Sequence, residues 1–138
     1  MGAKVGAGII IVSYDQDAPR ILGLIGDEKH RQKHGALYDL PKGSLDANET
    51  NWDAALRETF EETGITVTAA DIIAGPVNDS WLTMWMAEVP WGTNVVIGVN
   101  PVTGQLEHDG FEWLSRDEAL NNCYPYLRSF VEWAFDNI

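Results

Sequence analysis

The chain has 138 residues, of which 45% are hydrophobic and 22% are charged, and its net charge is −12. This size and composition predict one folded domain over residues 1–138 and argue against disorder. The negative charge argues against nonspecific binding to nucleic acid, because two polyanions repel each other.

Cellular location is predicted from three features. No segment reaches the roughly 20 apolar residues of a membrane span, so no membrane partner is expected. The N-terminal apolar run is read as a strand rather than as a signal peptide. The single Cys123 excludes an internal disulfide and is read as a small buried thiol. A cytoplasmic protein is therefore expected.

The first part of the chain predicts short strands separated by polar turns. The predicted strands are residues 5–15, 20–26 and 36–40, and all three are rich in aliphatic side chains. Polar loops are predicted over residues 27–35 and 42–49. A helix is then predicted over residues 51–63, with Thr50 as its N-cap, Asp53 three residues later as in a capping box, and Gly64 just beyond its end.

The second part of the chain mixes strands and helices. Strands are predicted over residues 65–77, 80–90 and 111–114, with a further one near 95–99. A short helix should follow Ser115, and an amphipathic helix should end the chain. Its apolar face is predicted to hold Leu127, Phe130, Val131 and Ala134. Such a mixture predicts an α/β fold in layers.

The helix over residues 51–63 carries a dense cluster of charge. At 100° per residue, one arc holds Arg57, Glu58, Glu61 and Glu62. The opposite arc holds Trp52, Ala55, Leu56, Thr59 and Thr63. We therefore expect the second arc to lie on the sheet and the charged arc to face a cleft or water. A solvated acidic surface is the ordinary alternative for such a run.

The spacing of the glutamates favours a metal site. Glu58 precedes Glu61 and Glu62 by three and four residues, so the three side chains are neighbours. In a partly desolvated cleft each pair would repel by roughly 3 kcal/mol at about 5 Å. A cation would relieve this repulsion, and carboxylates without Cys or His predict Mg²⁺ or Mn²⁺. In the preceding loop, the Gly43 carbonyl could face the metal and Glu49 could orient Arg57.

Residues 43–65 resemble the Nudix box, G-x5-E-x7-R-E-U-x-E-E-x-G-U, where U is aliphatic. The matching positions are Gly43, Glu49, Arg57, Glu58, Glu61, Glu62, Gly64 and Ile65. Thr59 is the one departure, because the family usually has an aliphatic residue there. The resemblance implies an α/β/α sandwich with a mixed β-sheet. It also implies hydrolysis of a nucleoside diphosphate linked to another moiety.

The resemblance assigns roles by position. It implies that Glu58, Glu61, Glu62 and the Gly43 carbonyl bind the metal, with Glu49 and Arg57 in support. In this family the general base is the glutamate at position 58 or one from a distal loop. Here the distal candidate is Glu107, which would also bind the metal, and His108, Asp109 and Glu112 are competitors nearby. Divalent ions would neutralise the pyrophosphate and lower the pKa of an attacking water.

The substrate expectation rests on the Pro41-Lys42-Gly43 segment. It resembles the asymmetric diadenosine tetraphosphate hydrolases and also occurs in RNA 5′-pyrophosphohydrolases. Lys42 would contact a phosphate, and Lys29, Arg31 and Lys33 form a basic group for further phosphates. Aromatic side chains could stack an adenine, and the candidates are Tyr38, Trp81, Tyr124 and Tyr126.

The sequence therefore predicts metal-dependent hydrolysis of a dinucleoside tetraphosphate to ATP and AMP, by a monomer or homodimer. Three alternatives stay open within the enzyme class: action on triphosphorylated RNA ends, on ADP-ribose or on nucleotide sugars. A non-catalytic nucleotide-binding module and an acidic protein that merely binds cations are alternatives of other classes. The expected partner is a small nucleotide, and no stable complex with nucleic acid is expected.

Overall fold

The computed structural model describes residues 5–138, so the first four residues of the predicted domain lie outside it. The strands are β1 (Gly6–Asp15), β2 (Ala18–Ile25), β3 (Tyr38–Asp39), β4 (Lys42–Ser44), β5 (Ile72–Asp79), β6 (Leu82–Glu88) and β7 (Gly110–Leu114). The α-helices are α1 (Glu28–His34), α2 (Asn51–Thr63), α3 (Arg116–Asn122) and α4 (Arg128–Asp136), and short 3-10 helices span Ala69–Asp71 and Pro125–Leu127.

The strands form one mixed seven-stranded sheet centred on β1. β1 pairs in parallel with β6, and the other pairings are antiparallel. β1 and β2 pair only near their shared turn, between residues 12–15 and 18–21. Beyond that turn the two strands diverge, because β3 pairs with the end of β2 and β4 with the start of β1. The segment from Tyr38 to Ser44 is thereby inserted between them.

Helices cover both faces of the sheet, which explains why β1 reads as a continuous apolar run. Ile9 and Ile11 point to the face covered by α2, where they join Ala54 and Ala55. Ile10 and Val12 point to the other face, where α3 and α4 contribute the apolar residues Ala119, Leu120, Phe130, Val131 and Ala134. The predicted α/β/α sandwich with a mixed sheet is therefore correct, and so is the predicted apolar face of the last helix.

The predicted polar loop over residues 27–35 is wrong, because the structure has helix α1 there. Asp27 caps this helix by accepting a hydrogen bond from the His30 amide at 2.9 Å, and Gly35 ends it in the left-handed conformation. Each side chain of α1 is at least partly exposed, so the segment shows no apolar periodicity. The capping residues Asp27 and Gly35 were the sequence features that could have predicted this helix.

The predicted strand boundaries need several corrections. Over residues 65–71 the chain contributes Ile65 and Val67 to the core without joining the sheet, and β5 begins only at Ile72. Residues 95–99 form no strand, and Val99 makes only an isolated bridge to Leu106. The predicted strand over residues 36–40 shortens to β3, whereas part of the predicted loop over 42–49 becomes β4. A segment forms a strand only where a neighbouring strand can pair with it, and a pattern of apolar residues does not show whether such a neighbour exists.

Within residues 5–138, no helix has the length and apolar composition needed to cross a bilayer. Cys123 is buried, as the sequence predicted, and burial raises the pKa of its thiol.

Candidate active site

Helix α2 presents the box residues to the sheet. Thr50 caps the helix by accepting a hydrogen bond from the Asp53 amide at 3.1 Å, and Gly64 ends it with a left-handed backbone. These boundaries agree with the predicted helix over residues 51–63.

The predicted orientation of α2 agrees with the structure. Ala55, Thr59 and Thr63 of the packed arc are buried. On the charged arc, Glu58 and Glu62 line a cleft rather than open water, and Glu62 is only 3% exposed. Glu61 stays exposed.

Arg57 joins the acidic residues of the box to one another. Its Nε donates to Glu49 at 2.8 Å and its Nη2 donates to the other carboxylate oxygen of Glu49 at 2.9 Å, so the pairing is bidentate. Its Nη1 donates to Glu58 at 2.9 Å and to Glu61 at 3.2 Å, and its Nη2 also donates to the Ser44 carbonyl at 3.0 Å. The hydrogen bonds from Arg57 hold the pKa of Glu49 at about 2. Arg57 thus fixes the helix to the preceding loop.

Gly43 lets the loop approach Glu58 closely. A Cβ atom at position 43 would lie 2.1 Å from the Glu58 carboxyl carbon, so any side chain there would displace that carboxylate. Gly43 also pairs with Ala7 in the ladder between β1 and β4, which fixes it against the sheet. The glycine of the box is therefore needed for space.

A buried network surrounds Glu62, and the sequence prediction did not include its central residue. Asp39 accepts from the Lys42 ammonium at 2.9 Å, and the distance from its other oxygen to His108 Nε2 is 3.0 Å. Glu62 accepts from the Lys42 amide at 3.1 Å and lies 3.9 Å from His108 Nε2. We call Asp39, Lys42, Glu62 and His108 the Asp39 network. An acidic residue inside the short apolar strand β3 was the signal that could have revealed Asp39.

The pKa values in this region follow burial and charge. Burial raises the pKa of Glu62 well above its ordinary range, and the Asp39 carboxylate raises it further. Burial also raises the pKa of Glu58, which Arg57 partly offsets. For Asp39, burial acts in the same direction, but Lys42 and His108 outweigh it and bring the pKa to about 2. Burial alone would lower the pKa of Lys42, yet Asp39 and its other neighbours raise it.

The predicted distal residue Glu107 reaches the same cavity as the box. Residues 98–109, here called the distal loop, are fixed by hydrogen bonds from the Glu107 amide to the Gly98 carbonyl and from the Asp109 amide to the Ile25 carbonyl. A cavity of about 590 Å³ is lined by Glu58, Glu62 and Glu107 together with Lys29, Lys42 and His108. We call it the acidic cavity. It joins chain segments that are far apart in the sequence.

The predicted substrate-binding residues fall in different places. Lys29 and Lys42 line the acidic cavity, and Lys33 lines a neighbouring pocket. Arg31 instead forms a 2.8 Å ion pair with Asp109 and donates to the Gly26 carbonyl. Tyr38 is buried in the core, and its hydroxyl donates to Glu112 at 2.6 Å. Neither Arg31 nor Tyr38 is placed to contact a ligand in the acidic cavity, because their polar groups are engaged by the protein.

The neighbouring pocket, of about 400 Å³, is lined by Lys33, His34, Lys42, Trp81, Tyr124 and Tyr126. We call it the aromatic pocket. The rings of Trp81 and Tyr126 have centroids 6.0 Å apart and planes 34° apart, and the Lys42 ammonium lies 5.7 Å from the Tyr126 centroid. His34 stacks on Tyr124 at 4.2 Å. Lys42 belongs to both cavities and so connects them.

The acidic residues suit a hard divalent cation. Glu58 and Glu62 line the same cavity, and their side chains are only 15% and 4% exposed, so ionising both without a cation is unfavourable. Glu61 and Glu107 add further carboxylates beside them. Oxygen donors of this kind match Mg²⁺ or Mn²⁺.

Comparison with known proteins establishes the class to which this fold and site belong. The model of the NUDIX domain matches residues 3–134, and the chain therefore belongs to the Nudix family. The structure of a C. elegans Ap4A hydrolase binary complex superposes with a TM-score of 0.72 at 22% identity, covering 96% of this chain and 97% of that one. That similarity shows the shared fold.

Two kinds of relative are found among individual proteins. The asymmetrical bis(5′-nucleosyl)-tetraphosphatase of Mus musculus is 35% identical over 88 residues, which are 57% of this chain and 56% of that protein. The chain thus spans about half the length of the mouse protein that it matches. The RNA pyrophosphohydrolase of Roseobacter denitrificans is 25% identical over 119 residues, covering 72% of this chain and 73% of that protein.

Proposed function

We propose that this protein is a divalent-metal-dependent pyrophosphohydrolase that splits dinucleoside tetraphosphates asymmetrically into ATP and AMP. The observation that carries the proposal is the acidic cavity, where Glu58, Glu62 and Glu107 converge beside two lysines. Carboxylates for a metal and ammonium groups for phosphates are the combination that phosphoanhydride hydrolysis requires.

The metal would be held by Glu58, Glu61, Glu62 and Glu107, with the Gly43 carbonyl as a further ligand. When bound, Mg²⁺ or Mn²⁺ neutralises phosphate charge and lowers the pKa of a water molecule. Glu58 or Glu107 then serves as the base that accepts the proton from that water. Arg57 holds the Glu58 carboxylate through a 2.9 Å hydrogen bond and keeps it oriented.

The protein's own cations would bind the polyphosphate. Lys42 is held by Asp39 at the junction of the two cavities, and Lys29 lines the acidic cavity. Lys33 lies at the aromatic pocket. We expect a chain of several phosphates to contact more of these cations than a diphosphate does. This arrangement supports a substrate with more than two phosphates.

The aromatic pocket supports a nucleoside at one end of that polyphosphate. Trp81 and Tyr126 line this pocket with aromatic surface, and stacking on an aromatic side chain contributes about 1–3 kcal/mol per base. The pocket adjoins the acidic cavity through Lys42, so a base in one and phosphates in the other belong to one ligand. The mouse tetraphosphatase, at 35% identity, is consistent with this substrate class.

Hydrolysis of triphosphorylated RNA ends is the second candidate. It is favoured by the RNA pyrophosphohydrolase relatives, one of which matches 72% of the chain. The net charge of −12 acts against it, because long-range repulsion disfavours a polyanion.

The deciding experiment is turnover of a substrate panel with Mg²⁺. The panel contains diadenosine tetraphosphate, triphosphorylated RNA, ADP-ribose and a nucleotide sugar, and the products are identified in ¹⁸O-labelled water by mass spectrometry. We expect the largest kcat/KM for the dinucleotide, with ATP and AMP as products. Faster turnover of RNA or ADP-ribose would refute the substrate assignment. An absence of turnover on the whole panel would instead favour a non-catalytic nucleotide-binding module.

A further inference from the structure

Asp39 lies in the two-residue strand β3, and its carboxylate contacts three polar groups of the protein. It is 8% exposed, and one of its oxygens accepts from the Leu40 amide at 2.8 Å and from the Lys42 ammonium at 2.9 Å. Its other oxygen lies 3.0 Å from His108 Nε2. Because a carboxylate only accepts hydrogen bonds, the Nε2 atom of His108 is the one that carries the proton. Asp39 thus connects its own segment with the distal loop.

The same residues could be read as a separate metal site. Asp39, Glu62 and His108 offer ligand atoms that all lie within 4.8 Å of one another. The Lys42 ammonium, however, already lies 2.9 Å from Asp39 and supplies the positive charge that a buried carboxylate requires. A second cation beside Asp39 would be repelled by this ammonium group. The geometry therefore indicates a structural connection.

The connection joins the parts of the proposed active site that come from different segments. On one side, the Lys42 amide donates to Glu62, and Gly43 lies directly against Glu58. On the other side, His108 follows Glu107, which lines the acidic cavity. The bond between Asp39 and His108 thus sets where Glu107 lies relative to the carboxylates of α2.

We infer that Asp39 is a positioning residue, which holds the distal loop and the Lys42 side chain in place around the metal-binding carboxylates. This inference rests on the proposed function. Asp39 itself would not contact the reacting atoms, since its oxygens are occupied by donors of the protein. Partners that orient metal ligands typically contribute 10–100-fold in metal affinity or activity.

The first test compares Asp39→Ala and Asp39→Asn with the unmodified protein. Mn²⁺ affinity is measured by electron paramagnetic resonance. The values of kcat and KM are measured with diadenosine tetraphosphate, and thermal unfolding shows whether each variant is folded. We expect Asp39→Ala to lower Mn²⁺ affinity and kcat by about 10–100-fold. Asp39→Asn should recover part of both, because its carbonyl still accepts from Lys42. Asp136→Asn removes an exposed carboxylate elsewhere and serves as the control. A folded Asp39→Ala protein with unchanged Mn²⁺ affinity and kcat would overturn the inference.

The second test covers the case in which Asp39→Ala does not fold. His108→Leu removes the donor at similar volume, whereas His108→Gln keeps an N–H group that can reach Asp39. Mn²⁺ affinity and kcat should fall in the leucine variant and stay near the original values in the glutamine variant. Equal behaviour of the two variants would contradict a role for this hydrogen bond. If the unmodified protein hydrolyses none of the nucleotides, the proposed function fails, while the Mn²⁺ affinities still decide this inference.

Discussion

At the scale of single residues, burial determines what each polar side chain of α2 contributes. Glu61 and Glu62 are adjacent in the sequence, but the side chain of Glu61 is 52% exposed and that of Glu62 only 4%. Burial raises the pKa of Glu62 well above its ordinary range. The exposed carboxylate of Glu61 instead accepts a hydrogen bond from Arg57 at 3.2 Å. Among the proposed metal ligands, Glu62 is therefore the one for which a bound cation matters most.

Replacing Glu62 with Gln should abolish most of the activity and leave the fold intact. The variant removes a negative charge from the proposed metal site, and we expect kcat to fall by at least about 100-fold. It also removes a buried ionisable group, so the free energy of unfolding should not decrease. Turnover at saturating Mg²⁺ and thermal unfolding test both statements, with the exposed Glu88→Gln as control. Activity of the unmodified protein in excess EDTA would contradict the metal requirement.

Thr59 offers a second prediction at this scale. Its hydroxyl is buried and has no hydrogen-bond partner among residues 5–138. Thr59→Val replaces the hydroxyl with a methyl group of similar size, so it should stabilise the protein by about 1 kcal/mol. Valine also restores the aliphatic residue that the Nudix box usually has.

Thr63→Val is the matched control on the same helix. The Thr63 hydroxyl donates to the Thr59 carbonyl at 2.6 Å and accepts from the Ile65 amide at 3.1 Å. Its loss should destabilise the protein by about 1–3 kcal/mol. Chemical denaturation gives the free energy of unfolding of both variants. An equal change in the two would show that the Thr59 hydroxyl has a hydrogen-bond partner in solution.

At the scale of elements, the site depends on a loop held against the end of α2. The Val96 amide donates to the Thr63 carbonyl at 2.8 Å, and the Gly98 amide donates to the Glu62 carbonyl at 3.4 Å. The last carbonyls of a helix have no partner inside it, so these amides satisfy two of them. The distal loop then leads from Gly98 to Glu107. The position of Glu107 should therefore depend on the hydrogen bonds that hold Val96 and Gly98 to the end of α2.

Gly98→Ala tests this coupling. A Cβ atom at position 98 would lie 1.7 Å from the Glu61 carbonyl oxygen, so the loop would have to move away from the helix. We expect a lower melting temperature and a kcat reduced by about 10-fold or more, the effect of a displaced supporting residue. Gly110→Ala is the control, because its nearest neighbour would be the Ile25 side chain at 3.5 Å. A Gly98→Ala protein with normal kcat would show that Glu107 is placed independently of α2.

At the scale of the whole molecule, this strongly acidic protein has three lysine side chains close to the candidate active site. Lys29, Lys33 and Lys42 line the two connected cavities, while the net charge of the chain is −12. Such a local concentration suits a small anion, because long-range repulsion is screened beyond about 8 Å at physiological salt. Two of the predicted phosphate contacts, Lys29 and Lys33, lie on α1 beside these cavities.

The double variant Lys29→Ser/Lys33→Ser should raise KM more for long phosphate chains than for short ones. The reason is that only a long chain reaches cations beyond Lys42. Arg31→Ser should instead lower thermal stability with little change in KM, because Arg31 pairs with Asp109. KM values for dinucleoside tri-, tetra- and pentaphosphates measure the difference. A uniform increase across the series would show that the two lysines act only through net charge.

The sequence by itself determined the elements whose signals are local. The helix of the box, its caps at Thr50 and Gly64 and the apolar run of β1 follow from neighbouring residues. The spacing of Gly43, Glu49 and the glutamates indicated the family. Helix α1 was missed because its signal lies in its caps rather than in an apolar face.

Only the tertiary structure decided which residues meet. Sequence spacing placed Glu62 on an arc that faces a cleft or water, and only the packing of α2 beside the inserted segment showed that Glu62 is buried in a cleft. Asp39 and His108 are 69 positions apart and come together because β3 and the distal loop are both fixed to the end of β2. Local periodicity contains no information on such contacts, since they depend on how the sheet brings distant segments side by side.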